Sequence, residues 1–155
     1  MSQLEQRQPD PLTLIRILKK IPFFAGLQDF EYKALLNICR ILPQVAGTPL
    51  FYAGEPGHQM FLILSGKVEV RTPKGMINFT LGPGEVLGEV ALVMSLPKRS
   101  ANAVVIEESV LLAISREDLN NLLARAPRVS YLIMRNIAEV LAERMIANNR
   151  RLDGY

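Results

Sequence analysis

Between Gly47 and Gly88 a glycine recurs every few residues, at Gly54, Gly57, Gly66, Gly75, Gly82 and Gly84 on the way. A glycine inside a helix costs about 1 kcal/mol relative to alanine, so this spacing leaves no room for a helix of ordinary length. The intervening runs have strand character. Met60-Phe61-Leu62-Ile63-Leu64 is continuously apolar, and Lys67-Val68-Glu69-Val70-Arg71 alternates, with Val68 and Val70 on one face. Ala101 to Ile106 and Val110 to Ile114 predict two more strands, divided by Glu107-Glu108-Ser109. Many short strands joined by glycine turns predict a mainly β barrel or jelly roll, not an alternating α/β sheet.

Helices flank this region. Asp10 before Pro11 is a helix start, since aspartate caps and proline suits the first helical position. Leu12, Ile15 and Leu18 then share a face of a helix ending near Lys20, and Ile21-Pro22-Phe23-Phe24-Ala25-Gly26-Leu27 breaks it. Asp29 can cap a second helix with the stripe Phe30, Ala34, Leu35, Ile38 and Leu42. After the strands, Ser115-Arg116-Glu117-Asp118 has capping-box spacing, and Leu119, Leu122 and Leu123 give the next helix its apolar face. Pro127 starts a long helix reaching about Arg151, with Val129, Leu132, Ile133, Ile137, Val140, Leu141 and Met145 as its apolar residues. The expected organisation is a single domain over 1–155: N-terminal helices 10–42, a β-roll 43–114 and C-terminal helices 115–152.

Composition narrows the class. With 49% apolar and 21% charged residues, the chain reads as globular rather than disordered. No apolar run approaches the roughly 20 residues of a membrane span, and the start, Met1 to Gln8, lacks the apolar core of a secretion signal. One cysteine, Cys39, cannot form an internal disulfide, so a cytoplasmic protein or piece of one is expected. The net charge of +3 does not announce a nucleic-acid surface, although Arg144, Arg150 and Arg151 crowd the last helix. His58 is the one histidine, so neither a metal cluster nor a nucleophile–base set is expected, and no catalytic cofactor. The chain reads as non-enzymatic.

The stretch richest in chemistry runs from Leu81-Gly82-Pro83-Gly84-Glu85 through Gly88-Glu89-Val90-Ala91-Leu92 to Lys98-Arg99-Ser100-Ala101. Gly88 lets a ligand approach the backbone, and a helical turn beginning near Glu89 would present free N–H groups to an anion. Arg99, ten residues after Glu89, supplies a cationic fork for phosphate oxygens, and Ser100 adds a hydroxyl. A carboxylate sits badly against phosphate, so Glu89 calls for a donor such as a ribose hydroxyl. A Glu89–Arg99 salt bridge without any ligand satisfies the same spacing. No Gly-Lys-Ser/Thr follows the glycines, and they open no strand–helix–strand unit, which sets aside Walker and dinucleotide chemistry.

This stretch resembles the phosphate-binding cassette of cyclic-nucleotide-binding domains: Gly-Glu, a short helix, then Arg followed by Ser or Ala and then Ala. The ten-residue step is similar to that of the bacterial catabolite-activator type. The Ile21 to Leu27 stretch resembles the family's entry motif, and Gly54-Glu55-Pro56-Gly57 through Val70 resembles its glycine turn and hairpin. The resemblance covers about residues 20–152 and implies an eight-stranded jelly roll (a double-stranded β-helix) with a long C-terminal helix over the pocket. It implies a cAMP or cGMP ligand, held by Gly88, Glu89, Val90, Ala91, Arg99, Ser100 and Ala101: Glu89 on the ribose 2′-hydroxyl, and Arg99, Ser100 and the Val90 and Ala91 amides on the phosphate.

Two departures from the pattern matter. Where catabolite activators carry a Thr-Ser pair for adenine, an ungapped reading places Arg144 and Met145, so Arg144 becomes the candidate base contact and Met145 its apolar cover. Only Asp153-Gly154-Tyr155 follow Leu152, so no helix-turn-helix DNA reader is expected in this chain. The last helix offers a second copy a coiled-coil seam through Ile133, Ile137, Val140 and Arg144, and a homodimer is one expectation. The expected function is that of a sensor for a cyclic purine mononucleotide, cAMP ahead of cGMP, signalling through its C-terminal helix. A family member that binds no nucleotide and serves protein–protein contact, and a regulatory piece of a larger enzyme or channel, are the alternatives.

Overall fold

The computed structural model describes residues 9–89 and 98–152. Helix α1 spans Pro11–Lys19, a 3-10 turn covers Pro22–Phe24, and α2 spans Asp29–Asn37. Strands β1 (Cys39–Gln44), β2 (Pro49–Phe51), β3 (Gln59–Arg71), β4 (Ile77–Leu81), β5 (Val86–Leu87) and β6 (Asn102–Ser115) follow, and α3 (Arg116–Arg125) and α4 (Pro127–Leu152) close the chain. All pairing is antiparallel, in the order β1-β6-β3-β4, with β2 on β6 and β5 on β3.

Six strands lie among the described residues, where the family pattern implies eight. The difference has a local cause. The two breaks expected at Ser65-Gly66 and Glu107-Glu108-Ser109 face each other, and both strands pass through them as a bulge. Ser65 pairs with Val110 and Lys67 with Glu107, so β6 carries one residue more than β3 across that step. Gly66, at φ +90°, is required here: a Cβ would lie 2.0 Å from Ser109 Oγ. Ser109 is fully buried, and its hydroxyl donates to the Glu107 carbonyl at 2.7 Å.

The continuously apolar run in β3 is explained by burial on both faces. Met60 and Leu62 point into a cluster with the helices, alongside Leu112 and Ile114 of β6. Phe61 and Ile63 point into the roll, alongside Leu111 and Ala113. Alternate side chains of one strand thus serve two cores, and neither face can be polar.

The roll begins at Cys39, not at Pro43, and the N-terminal helices end at Asn37 rather than 42. Pairing with β6 wins over the helical stripe: Ile41 opposes Leu112 and packs toward the helices, while Leu42 opposes Leu111 and packs into the roll. Helix α2 therefore buries Tyr32 and Leu35, leaving Phe30 67% exposed. The Tyr32 hydroxyl donates to the Phe24 carbonyl at 2.6 Å, a partner that Phe30 could not use. In α1 the buried face is Leu14, Ile15 and Leu18, and Leu12 points out. Asp10 caps α1 through the Thr13 amide, and Ser115 caps α3 through the Asp118 amide at 3.0 Å. Helix α2 is opened by Gln28 rather than Asp29, the Glu31 carboxylate accepting from the Gln28 amide at 2.7 Å.

Helix α4 is fixed along its first half. Val129, Ile133 and Ile137 enter the core at four-residue steps, Asn136 donates to the Phe23 and Ala25 carbonyls at 3.2 and 2.9 Å, and Arg128 pairs with the buried Glu31. Ile133 and Ile137 are therefore spent inside the domain and cannot form the seam expected for a second copy. From Leu141 to Arg150 every residue is exposed. No helix among the described residues is long and apolar enough to cross a membrane.

Candidate functional site

The strand β5 delivers Gly88 and Glu89 to one side of a cavity, and the segment entering β6 delivers Lys98, Arg99, Ser100 and Ala101 to the other. The second side is pinned by the turn that follows β2. Arg99 donates its amide to the Glu55 carbonyl at 2.8 Å and accepts from the Gly54 amide at 2.7 Å, and Pro56 bridges Lys98. The backbone of Gly54-Glu55-Pro56-Gly57 thereby fixes where Arg99 starts.

Two glycines fix where the Arg99 side chain runs. A Cβ on Gly57 would lie 2.4 Å from Arg99 Nε, and one on Gly88 would lie 2.5 Å from Nη1 and 3.0 Å from the Gln59 carbonyl. Only at these two positions can backbone and guanidinium approach so closely. Arg99 Nη2 donates to the Gln59 carbonyl at 2.8 Å, and the guanidinium carbon sits 4.2 Å from the ring centroid of Phe51. Among the described residues the buried Nε has no hydrogen-bond partner. Among the described residues Arg99 forms no salt bridge, and burial draws its pKa below the ordinary arginine range, with Glu55 opposing the shift. The side chain is held by a ring and a carbonyl, neither of which neutralises it. A guanidinium held in this way can take an anion.

The salt bridge that Glu89–Arg99 spacing allowed is not formed. Glu89, 13% exposed, instead pairs with Arg144 of α4 through Oε1 and Nη1. Arg144 does line the cavity, as expected of a ligand residue, but it does so bound to the carboxylate. Met145 is 60% exposed and lies off the cavity wall, because neighbouring helix positions diverge by about 100°. Val90 and Ala91 lie outside the described residues.

The cavity holds about 430 Å³. Among the described residues its lining carries Lys98, Arg99 and Arg144 against the single carboxylate of Glu89, an excess of positive charge. Its lining also includes the apolar side chains of Val70, Phe79, Leu81 and Val86. Cationic and apolar side chains lining a cavity of this size suit a small amphiphilic anion with a flat apolar body. Phe51, Gly57, Phe79 and Leu81 were not legible as site residues. The strand alternation marked Val70 as inward-facing, but nothing local distinguishes a cavity wall from core.

Elsewhere, burial pushes the Cys39 thiol up to about 12, which keeps it protonated and unreactive. Among the described residues no group of three or more His, Cys, Asp and Glu side chains could hold a metal ion.

The model of the cyclic nucleotide-binding domain matches residues 45–126, which contain the turn, Arg99 and the cavity lining apart from Arg144. The chain is 39% identical over 142 residues to the Cyclic AMP receptor protein of Thermus thermophilus, covering 88% of this chain and 62% of that protein. It is 32% identical over 136 residues to Glutaminase 1 of Bradyrhizobium diazoefficiens, covering 88% of this chain but 22% of that enzyme. In three dimensions it is similar to a cyclic nucleotide-binding domain from Methylobacillus flagellatus, with a TM-score of 0.76 and 25% identity over 91% of this chain and 81% of that one. The chain thus spans less than two thirds of the length of the receptor protein. With the jelly roll, the glycine-framed arginine and the matched segment all coinciding, the chain belongs to the cyclic nucleotide-binding domain family.

Proposed function

We propose that this domain is a non-enzymatic sensor that binds a cyclic purine mononucleotide, cAMP in preference to cGMP, and reports occupancy through α4. The observation that carries this reading is the state of Arg99: half-buried, aligned by glycines, and without a carboxylate partner among the described residues. The cyclic phosphate would take the Arg99 charge, with Ser100 and the Val90 and Ala91 amides as further donors, and Gly88 and Ala101 as close walls. The ribose 2′-hydroxyl would donate to Glu89, and the purine would lie along Phe79, Leu81 and Val86. The preference for cAMP draws support from the similarity to a protein named for that ligand.

Parallel calorimetric titrations with cAMP and cGMP test the reading. The wild-type chain should bind both, cAMP more tightly. Arg99→Ala should lose more than about 100-fold in affinity, because a buried anion left without its partner costs roughly 3–5 kcal/mol. Its melting temperature should change little. Unchanged affinity in Arg99→Ala would overturn the assignment.

A homodimer through α4 is the second element of the proposal, and one observation favours it. Tyr131, Met134, Ala138, Leu141 and Met145 follow steps of three and four residues, the spacing of a coiled-coil seam, and all are exposed. This seam is turned by about 100° around α4 from the Ile133 and Ile137 pair anticipated above. The relatives place such domains beside different outputs, so the output coupled to α4 here is proposed only as a partner outside residues 9–152.

A further inference from the structure

Helix α4 has two halves with different attachments. Up to Val140 it is held by core side chains and by the Asn136 and Arg128 bonds. Beyond Val140 every residue to Arg150 is exposed, and a polar tie from that half to the roll runs from Arg144 to Glu89. Glu89 is also the carboxylate placed for the ribose hydroxyl. One group therefore stands between the ligand and the free half of the helix.

We propose that Arg144 is a positioning residue that reads the ribose 2′-hydroxyl through Glu89, so that this hydroxyl and the distal half of α4 strengthen each other's hold on one carboxylate. The proposal rests on the cyclic-nucleotide reading above and assigns Arg144 a role different from direct contact with the base. A carboxylate accepts at both oxygens, so one guanidinium N–H on Oε1 leaves acceptor sites for a further donor. The guanidinium fixes the direction of the nearly buried carboxylate, and an aimed acceptor is what a neutral hydroxyl needs. By reciprocity, a hydroxyl that steadies Glu89 must steady Arg144 and the helix that bears it by the same factor. A base contact by Arg144 would instead be indifferent to the hydroxyl.

The test uses that difference. Affinities for cAMP and 2′-deoxy-cAMP are measured by calorimetry on the wild type, Arg144→Gln, Glu89→Gln and the double variant. Hydrogen exchange across residues 141–150 is followed with each ligand. The expected result is a loss of about tenfold for cAMP in Arg144→Gln and less than about twofold for the deoxy ligand. In the Glu89→Gln background Arg144→Gln should add nothing, and cAMP should slow exchange in the distal half of α4 more than the deoxy ligand does. Equal losses for both ligands, or none for either, would overturn the proposal while leaving the domain a nucleotide binder. Failure of the wild-type chain to bind either ligand would instead overturn the cyclic-nucleotide reading and this coupling with it. Since Arg144 is on an exposed stretch of helix, its variants fold independently of the outcome, and a melting curve of each variant verifies it.

Discussion

The guanidinium of Arg99 lies over Phe51 with its central carbon 4.2 Å from the ring centroid, and Phe51 is itself backed by Phe61 at 6.3 Å between ring centroids. A carboxylate in place of that ring would orient the arginine equally well and cancel its charge. The aromatic platform orients without cancelling. It therefore fits a site that must keep a cation partly dehydrated and still available.

Replacing the ring tests this. Phe51→Leu retains most of the apolar volume and removes the π face, an interaction worth about 1–2 kcal/mol when partly desolvated. Cyclic-nucleotide affinity should fall by about 5- to 30-fold, and Phe51→Tyr should restore most of it. Equal affinities for the leucine and tyrosine variants would mean that the ring acts only as packing.

Gly57 and Gly54 separate space from backbone conformation. In Gly57→Ala the new methyl would meet Arg99 Nε at 2.4 Å, so the guanidinium must move and affinity should drop by at least about tenfold. Gly54 has φ +87° and open space around it, so Gly54→Ala should cost about 1 kcal/mol of stability and leave affinity nearly unchanged. Melting curves and titrations on the two variants should thus change in opposite order.

Glu31 carries a pH dependence of stability. Burial works to raise its pKa, but the Gln28 amide and the Arg128 guanidinium outweigh it and hold the value below the ordinary 4.5. A depressed carboxylate contributes stability that is fully present above its unfolded value and is lost as pH falls through the folded one. Stability should decline below about pH 4.5, and Glu31→Gln should flatten that decline while costing about 1 kcal/mol at pH 7. Denaturant midpoints at pH 7 and pH 3 give the comparison. An unchanged acid slope in the variant would assign the dependence to other groups.

Two substitutions on α4 distinguish its faces. Leu141→Glu falls on the exposed seam and should shift the chain from dimer to monomer in sedimentation without lowering its melting temperature appreciably. Ile137→Glu falls in the core, 2% exposed, and should destabilise the fold by several kcal/mol. A monomeric wild type at high concentration would remove the seam from consideration as a self-contact.

Much of this molecule follows from local chemistry. Glycine spacing excludes helix from the middle of the chain, Asp10 and Ser115 set helix starts through their own side chains, and Gly88, Glu89, Arg99 and Ser100 carry a family pattern in their spacing. Such features need only near neighbours to be read. What local chemistry could not decide was every choice between two satisfactory partners. Ile41 and Leu42 suit a helix face or a strand, and β6 made them a strand by offering hydrogen bonds and two cores at once. Ser65-Gly66 and Glu107-Glu108-Ser109 each look like a turn, and became a bulge because they face each other. Glu89 has one arginine ten residues away and another 55 residues away, and it took the distant one. The near arginine was already drawn between two glycines and over Phe51, so its direction was fixed by residues from three separate segments. The sequence by itself determined that Glu89 and Arg99 stand ten residues apart in a family pattern; the tertiary structure alone decided that this carboxylate pairs with the last helix, because ion pairs form by distance in space and not by distance along the chain.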